Sequence, residues 1–171
     1  ELPNITKEDL KLISEPIDIY GQNIYNGWMV KMGEDGKPVT VPRYQGFPTT
    51  ATGWPITPEC LYWGPKFLYE RYQKPIYITE NGISCNDVVS LDGKVHDAGR
   101  IDFEERYLAQ LNRAIQDGAD IRGYFYWSLM DNFEWSEGYT QRFGLVYVDY
   151  RTGERIQKDS ARWYQKVIEN N

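Results

Sequence analysis

An α/β fold built on a parallel sheet is predicted by three features of this 171-residue chain. Strand-like runs alternate with helical ones over most of its length. Each crossover is long enough to bring the next strand back parallel to the last. Polar and aromatic residues gather where successive strands end: Asn23 with Tyr25, then Glu80, then Trp127 with Glu134. Two architectures satisfy this alternation, a small doubly wound sheet and part of a (β/α)8 barrel. No glycine-rich phosphate turn of the dinucleotide-binding kind follows the first strand, and barrel enzymes assemble their sites at the C-terminal ends of their strands. The barrel is therefore the expectation.

The elements follow in order. Thr6-Lys7-Glu8-Asp9 ahead of Leu10, Leu12 and Ile13 predicts a short capped helix that stops before Pro16. A strand is expected over 17–25. Residues 31–56 are rich in Pro and Gly, show little periodicity, and read as one long loop. Thr57-Pro58 supplies an N-cap and a first-turn proline for a helix through Leu61, Tyr62, Phe67, Leu68 and Tyr72, ending near Lys74-Pro75. A strand over 76–79 and a polar loop over 81–100 come next. Asp102-Phe103-Glu104-Glu105 resembles a capping box opening a helix with Phe103, Tyr107, Leu111, Ala114 and Ile115 on one face and Gly118 as its C-terminal cap. A third strand is expected over 121–127, a loop over 131–139 and a short hairpin return over 143–148. Asp159-Ser160 starts a final helix through Trp163, Tyr164, Val167 and Ile168.

Composition narrows the function classes. Nineteen basic and 25 acidic residues give a net charge of −6, with no basic run able to track a phosphate backbone, so no nucleic-acid partner is expected. No apolar stretch approaches the roughly 18 residues of a membrane span, so no membrane is expected. The two cysteines, Cys60 and Cys85, lack metal-site spacing and are too few for a disulfide framework; read as free thiols, they lean toward a reducing, cytoplasmic compartment. Aromatic residues make up 15% of the chain, which suits sugar stacking and an aromatic core equally.

The motifs are more specific. Tyr77-Ile78-Thr79-Glu80-Asn81-Gly82 ends an apolar β-branched run in a carboxylate followed by Asn-Gly. The block Trp127-Ser128-Leu129-Met130-Asp131-Asn132-Phe133-Glu134-Trp135 sets another glutamate between aromatic rings. With Arg142-Phe143-Gly144-Leu145, Tyr147-Val148-Asp149-Tyr150 and, more loosely, Asp18-Ile19-Tyr20-Gly21-Gln22-Asn23-Ile24-Tyr25, these segments resemble family 1 glycoside hydrolases, the β-glucosidase family. The resemblance extends over essentially the whole chain. It implies that residues 1–171 form the C-terminal part of a single (β/α)8 barrel domain, its sixth to eighth strands, with strands one to five missing. Three strands cannot close a barrel, and eight βα units need about 250 residues. A companion chain or segment carrying the N-terminal half is thus an expected partner.

The same resemblance implies the roles. A retaining glycosidase needs a carboxylate below the anomeric carbon and a carboxylic acid above the leaving oxygen, about 5 Å apart. Glu80 matches the nucleophile and Tyr25 the tyrosine that donates to it. Asn23 is a neighbouring polar position on the same strand, and both should point into the barrel mouth. Asn81 and Gly82 are expected to serve a turn. Glu134 matches the acceptor of two sugar hydroxyls, Trp135 the indole donor beside it, and Trp127 the apolar floor. Phe143 closes the edge, and Trp54 lines the leaving-group side. A carboxylate at position 134 would repel a phosphate on the sugar, so an unphosphorylated β-linked glycoside is the implied substrate. No cofactor or metal is implied. The family's Asn-Glu-Pro acid segment does not occur; Glu15 in Ser14-Glu15-Pro16 precedes its strand and belongs to the opposite face. His96, the only histidine, reads as an exposed loop residue without a partner. The competing reading is an inactive carbohydrate-binding or interaction fragment of such an enzyme.

Overall fold

Every helix that the sequence marks out forms, although two begin away from the capping residues expected for them. The computed structural model describes residues 3–170. Helix α1 (Lys7–Ile13) starts at Thr6 as expected: the Thr6 hydroxyl accepts from the Asp9 amide while the Asp9 carboxylate accepts from the Thr6 amide. Strand β1 (Tyr20–Asn23) is shorter than the 17–25 run expected. The stretch read as one loop over 31–56 instead contains part of an antiparallel hairpin, β2 (Val30–Met32) with β3 (Pro38–Thr40). Its turn closes with the Gly33 amide on the Lys37 carbonyl at 2.8 Å and uses Gly36 at φ 74°, a conformation open to glycine, so the Pro and Gly content marked a turn within structure.

Helix α2 (Cys60–Tyr72) is not capped by Thr57. That hydroxyl accepts the Gly27 amide at 2.9 Å, across a sequence separation that local spacing cannot reveal. Strand β4 (Ile76–Asn81) runs two residues beyond its expected end. Helix α3 (Ala98–Gln116) opens well before Asp102, so the Asp102 capping box does not exist; Asp102 pairs along the helix with Arg106 at 2.8 Å. Just past the helix, Gly118 at φ 94° donates to the Ile115 carbonyl at 2.9 Å, the expected glycine stop. Strand β5 (Ile121–Tyr126), the antiparallel pair β6 (Val146–Val148) and β7 (Arg155–Gln157), and helix α4 (Asp159–Glu169) complete the chain.

The three longer-range strands form a parallel sheet in the order β1-β4-β5. Ile76 and Ile78 of β4 are buried against Leu61 of α2 and Phe103, Tyr107 and Leu111 of α3, the main core cluster. The apolar face expected for α3 is therefore correct except for Ile115, which is exposed. The opposite face of the sheet has no such cover: Gly21, Asn23, Thr79 and Phe125 are exposed. Among the described residues, β1 has no strand on its outer edge. An apolar cleft lies beside it, lined in part by Ile24, Trp63, Phe67 and Leu68. No helix among the described residues is long and apolar enough to cross a membrane.

Candidate active site

Strict alternation along β4 would bury Glu80, because Ile76 and Ile78 already face the helices. A register shift prevents it. Gln22 pairs with Ile78 and Asn23 with Glu80, so one step along β1 spans two along β4. The same irregularity lies between Ile78 and Asn81 on the β5 side. The extra residue turns Glu80 away from the core and Asn81 into it, which is how bulges re-aim side chains at functional positions. Asn81 is fully buried; its amide donates to the Ile24 carbonyl and its oxygen accepts the Tyr124 hydroxyl, both at 2.8 Å. It ties β1 to β5 beneath Glu80, which corrects the turn role expected for it. Gly82 is not at a positive-φ turn position either: a Cβ there would fall on the Trp127 carbonyl.

The re-aimed Glu80 meets Tyr25. The Tyr25 hydroxyl donates to Glu80 Oε2 at 2.7 Å. Burial, reinforced by that hydrogen bond and by the charges of Glu80 and Glu134, raises the Tyr25 hydroxyl far above its ordinary value, so it remains a donor at any working pH. Tyr107 of α3 fixes the segment from behind, donating to the Tyr25 carbonyl at 3.2 Å and accepting the Thr57 amide at 2.8 Å. Trp54 and Phe143 pack on the Tyr25 ring, with centroids 5.2 and 6.4 Å away, and lie 5.9 Å from each other. Phe143 is buried, a wall behind Tyr25 more than an outer edge. Asn23 lies beside this group, its side-chain oxygen accepting the Thr79 hydroxyl at 2.7 Å.

Trp127 leaves β5 with its amide on the Asn81 carbonyl at 2.7 Å, next to the end of β4. Beyond it, Glu134 sits in a tight loop, its amide on the Gly138 carbonyl at 2.7 Å, with a single 3-10 turn over Trp135–Glu137. Glu134 is half-buried and within electrostatic reach of Tyr25. Trp135 is 81% exposed and takes no part in this cluster. The structure thus brings together Glu80, Tyr25, Trp54 and Phe143 by direct contact, with Asn23, Trp127 and Glu134 around them and Trp135 apart.

A buried ion network, not anticipated from the sequence, secures the loops that carry these groups. Asp131 accepts Lys158 Nζ at 2.9 Å, the Gly144 amide at 2.9 Å and Arg142 at 2.5 Å. Lys158 also reaches Asp87 at 2.6 Å, and Asp87 accepts Arg100 at 2.7 Å. Arg100 pairs in turn with Asp97, whose carboxylate accepts the Ser160 amide and hydroxyl at 2.9 and 2.5 Å. Three cations face three aspartates, and Arg100 and Lys158 are fully buried. Such pairs hold geometry only while complete, since losing one partner strands a buried charge. A signal for Arg100 was present, for it falls on the same helical stripe as Phe103, Tyr107 and Leu111.

His96 is a correction. It is half-exposed, but its ring contacts Asp159 at 2.6 Å and Asp92 at 3.1 Å, and these carboxylates raise its pKa. Glu15 lies before β1 and is exposed. Both cysteines are free, and burial pushes Cys60 to about 12 and Cys85 to about 11.

The model of glycosyl hydrolase family 1 matches residues 1–171. Beta-glucosidase A of Thermotoga maritima is 50% identical over 99% of this chain and 38% of its own length. The 1,4-beta-D-glucan glucohydrolase of Thermotoga neapolitana is 51% identical, again over 99% of this chain and 38% of the relative. Among solved structures, the T. maritima beta-glucosidase in complex with castanospermine superposes with a TM-score of 0.88 at 51% identity, covering 99% of this chain and 38% of that one. The chain spans well under half the length of these relatives. By the match of the family model along its whole length, it belongs to glycosyl hydrolase family 1.

Proposed function

We propose that this chain is the nucleophile-bearing C-terminal part of a retaining β-glucosidase, comprising the sixth to eighth strands of a (β/α)8 barrel. The observation that carries the reading is the 2.7 Å hydrogen bond from Tyr25 to a glutamate re-aimed by a bulge at the end of a parallel strand. The uncovered sheet face, the bare edge of β1 and the apolar cleft beside it fit a sheet that continues into five further strands.

In this reading a Glu80 oxygen attacks the anomeric carbon while the bond to the leaving oxygen breaks, and a carboxylic acid from the N-terminal part protonates that oxygen. Tyr25 holds the attacking carboxylate in line. The glycosyl ester on Glu80 is then hydrolysed by water, with the same acid residue, now ionised, taking the water's proton. Glu134 accepts two adjacent sugar hydroxyls through charge-assisted bonds, and its charge disfavours a phosphorylated sugar. Trp127 lies under the ring, Trp135 swings in as a donor, Asn23 adds a polar contact, and Trp54 flanks the leaving group.

Azide rescue tests the reading on the complete protein. Glu80→Gly should be inactive alone, and added azide should restore turnover of an activated β-glucoside with release of the α-glycosyl azide. Rescue giving the β-azide, or wild-type turnover by the glycine variant, would overturn the assignment.

A further inference from the structure

The stripe of α3 that packs on the sheet carries two ionisable residues among its apolar ones. Arg100 and Glu104 are both fully buried and lie four residues apart, on the face shared with Phe103, Tyr107 and Leu111. Arg100 commits its two terminal nitrogens to Asp87, Asp97 and the Arg142 carbonyl, and makes ion pairs with both aspartates but none with Glu104. Its Nε and both carboxyl oxygens of Glu104 are buried without a hydrogen-bond partner among the described residues, and the buried Tyr126 hydroxyl, within electrostatic reach of both, meets the Ile83 backbone. Three orphaned polar atoms on one helical stripe are costly unless something serves them all. A donor N–H, a hydroxyl and a carboxyl group are the two to four partners that an enclosed water needs.

The position gives the site a consequence. Tyr126 is the last residue of β5 and the register partner of Asn81. Its ring lies against Gly82, where a Cβ would stand 3.2 Å from Tyr126 Cζ. The Gly82 backbone therefore rests on the side chain that ends β5, two residues beyond Glu80.

We infer that Glu104 carries a proton and, through an internal water shared with Arg100 Nε and the Tyr126 hydroxyl, forms a buried positioning site that fixes the ends of β4 and β5. The site stands on the fold alone and does not depend on Glu80 being the nucleophile. Burial pushes Glu104 up to about 8; the Arg100 charge opposes this and Asp97 adds to it. Tyr124 and Tyr126 of β5 and Tyr164 of α4 also lie within its electrostatic reach, and Tyr126 in turn lies within reach of Cys85. The sign follows from a folded pKa raised above its ordinary 4.5: the stability of the neutral acid is complete below 4.5 and is lost as pH rises through about 8.

The test uses the complete protein. Infrared difference spectra between wild type and Glu104→Leu at about pH 6 should show the carbonyl band of a protonated acid, fading with a midpoint near 8. Amide exchange at Gly82 and Trp127, corrected for intrinsic rates, should accelerate through that midpoint in wild type and stay flat in Glu104→Gln, which keeps the shape but cannot ionise. Tyr126→Phe removes one partner of the water and should move the midpoint. The glutamine variant also serves as the spectral blank where the leucine variant does not fold. A carboxylate band at about pH 6, an unmoved midpoint in Tyr126→Phe, or the same loosening in Glu104→Gln would overturn the proposal.

Discussion

Residues 57–170 bury Leu61, Ile76, Ile78, Phe103, Tyr107 and Leu111 in one core, whereas no apolar side chain of residues 3–45 is buried. Ile5, Leu10, Leu12, Ile13, Trp28, Met29 and Met32 stand exposed there. The first region also encloses six paired charges; the second is held by local hydrogen bonds such as the Thr6–Asp9 box, by the pairing of β1 with β4, and by the bonds of Ile24, Tyr25 and Gly27 to Asn81, Glu80 and Thr57. A seven-residue helix is marginal without tertiary packing, so α1 gains little from standing alone. The contrast shows that the buried apolar core lies within residues 57–170, while the apolar side chains of residues 3–45 have no full cover among the described residues. That agrees with a chain spanning 38% of its T. maritima relative.

The largest effects are expected in the packed region. Glu80→Gln in the complete protein should lower kcat on the order of 10⁴-fold or more without moving the urea midpoint, because it removes a reacting group and no core contact. Asp131→Ala should cost about 3–5 kcal/mol, read from the same midpoint, because Lys158 and Arg142 lose their shared acceptor. Tyr25→Phe removes one hydrogen bond to a charged group and should lower kcat/KM by about 10- to 100-fold with little change in stability.

Smaller effects are expected at α1 and at His96. Leu12→Lys should change the stability of this chain alone by less than about 0.5 kcal/mol, but cost about 2 kcal/mol in the complete protein if the N-terminal part covers α1. Equal effects in both would show that α1 stays bare. His96 has a raised folded pKa, so its contribution is present below its ordinary 6.5 and lost as pH climbs through the raised value. Urea midpoints taken across that window should flatten in His96→Gln.

The parallel strands and the faces of their helices were legible because period and burial are local properties: the Phe103, Tyr107, Leu111 and Ala114 stripe needed only its spacing. Helix starts were less so. Thr57 and Asp102 had the right residue types for caps, but Thr57 binds Gly27, and α3 opens after Asp97, whose side chain caps nothing and binds Arg100 and Ser160 instead. Within the site, a glutamate at a strand end was readable, while the bulge that turns it toward Tyr25 was not, because it exists only in the pairing of β1 with β4. The Asp131–Lys158–Asp87–Arg100 chain was hidden for a similar reason: each charge looks solvated until a partner far along the sequence is placed beside it. His96 and Asp159 repeat the lesson, 63 residues apart.

The proposed mechanism turns on covalent attachment of the sugar to Glu80. A slow 2-fluoro-substituted β-glucoside with an activated leaving group, incubated with the complete protein, should add one fluoroglycosyl mass, and the label should map to the peptide containing Glu80. A label on any other carboxylate, or inactivation without covalent attachment, would contradict the account.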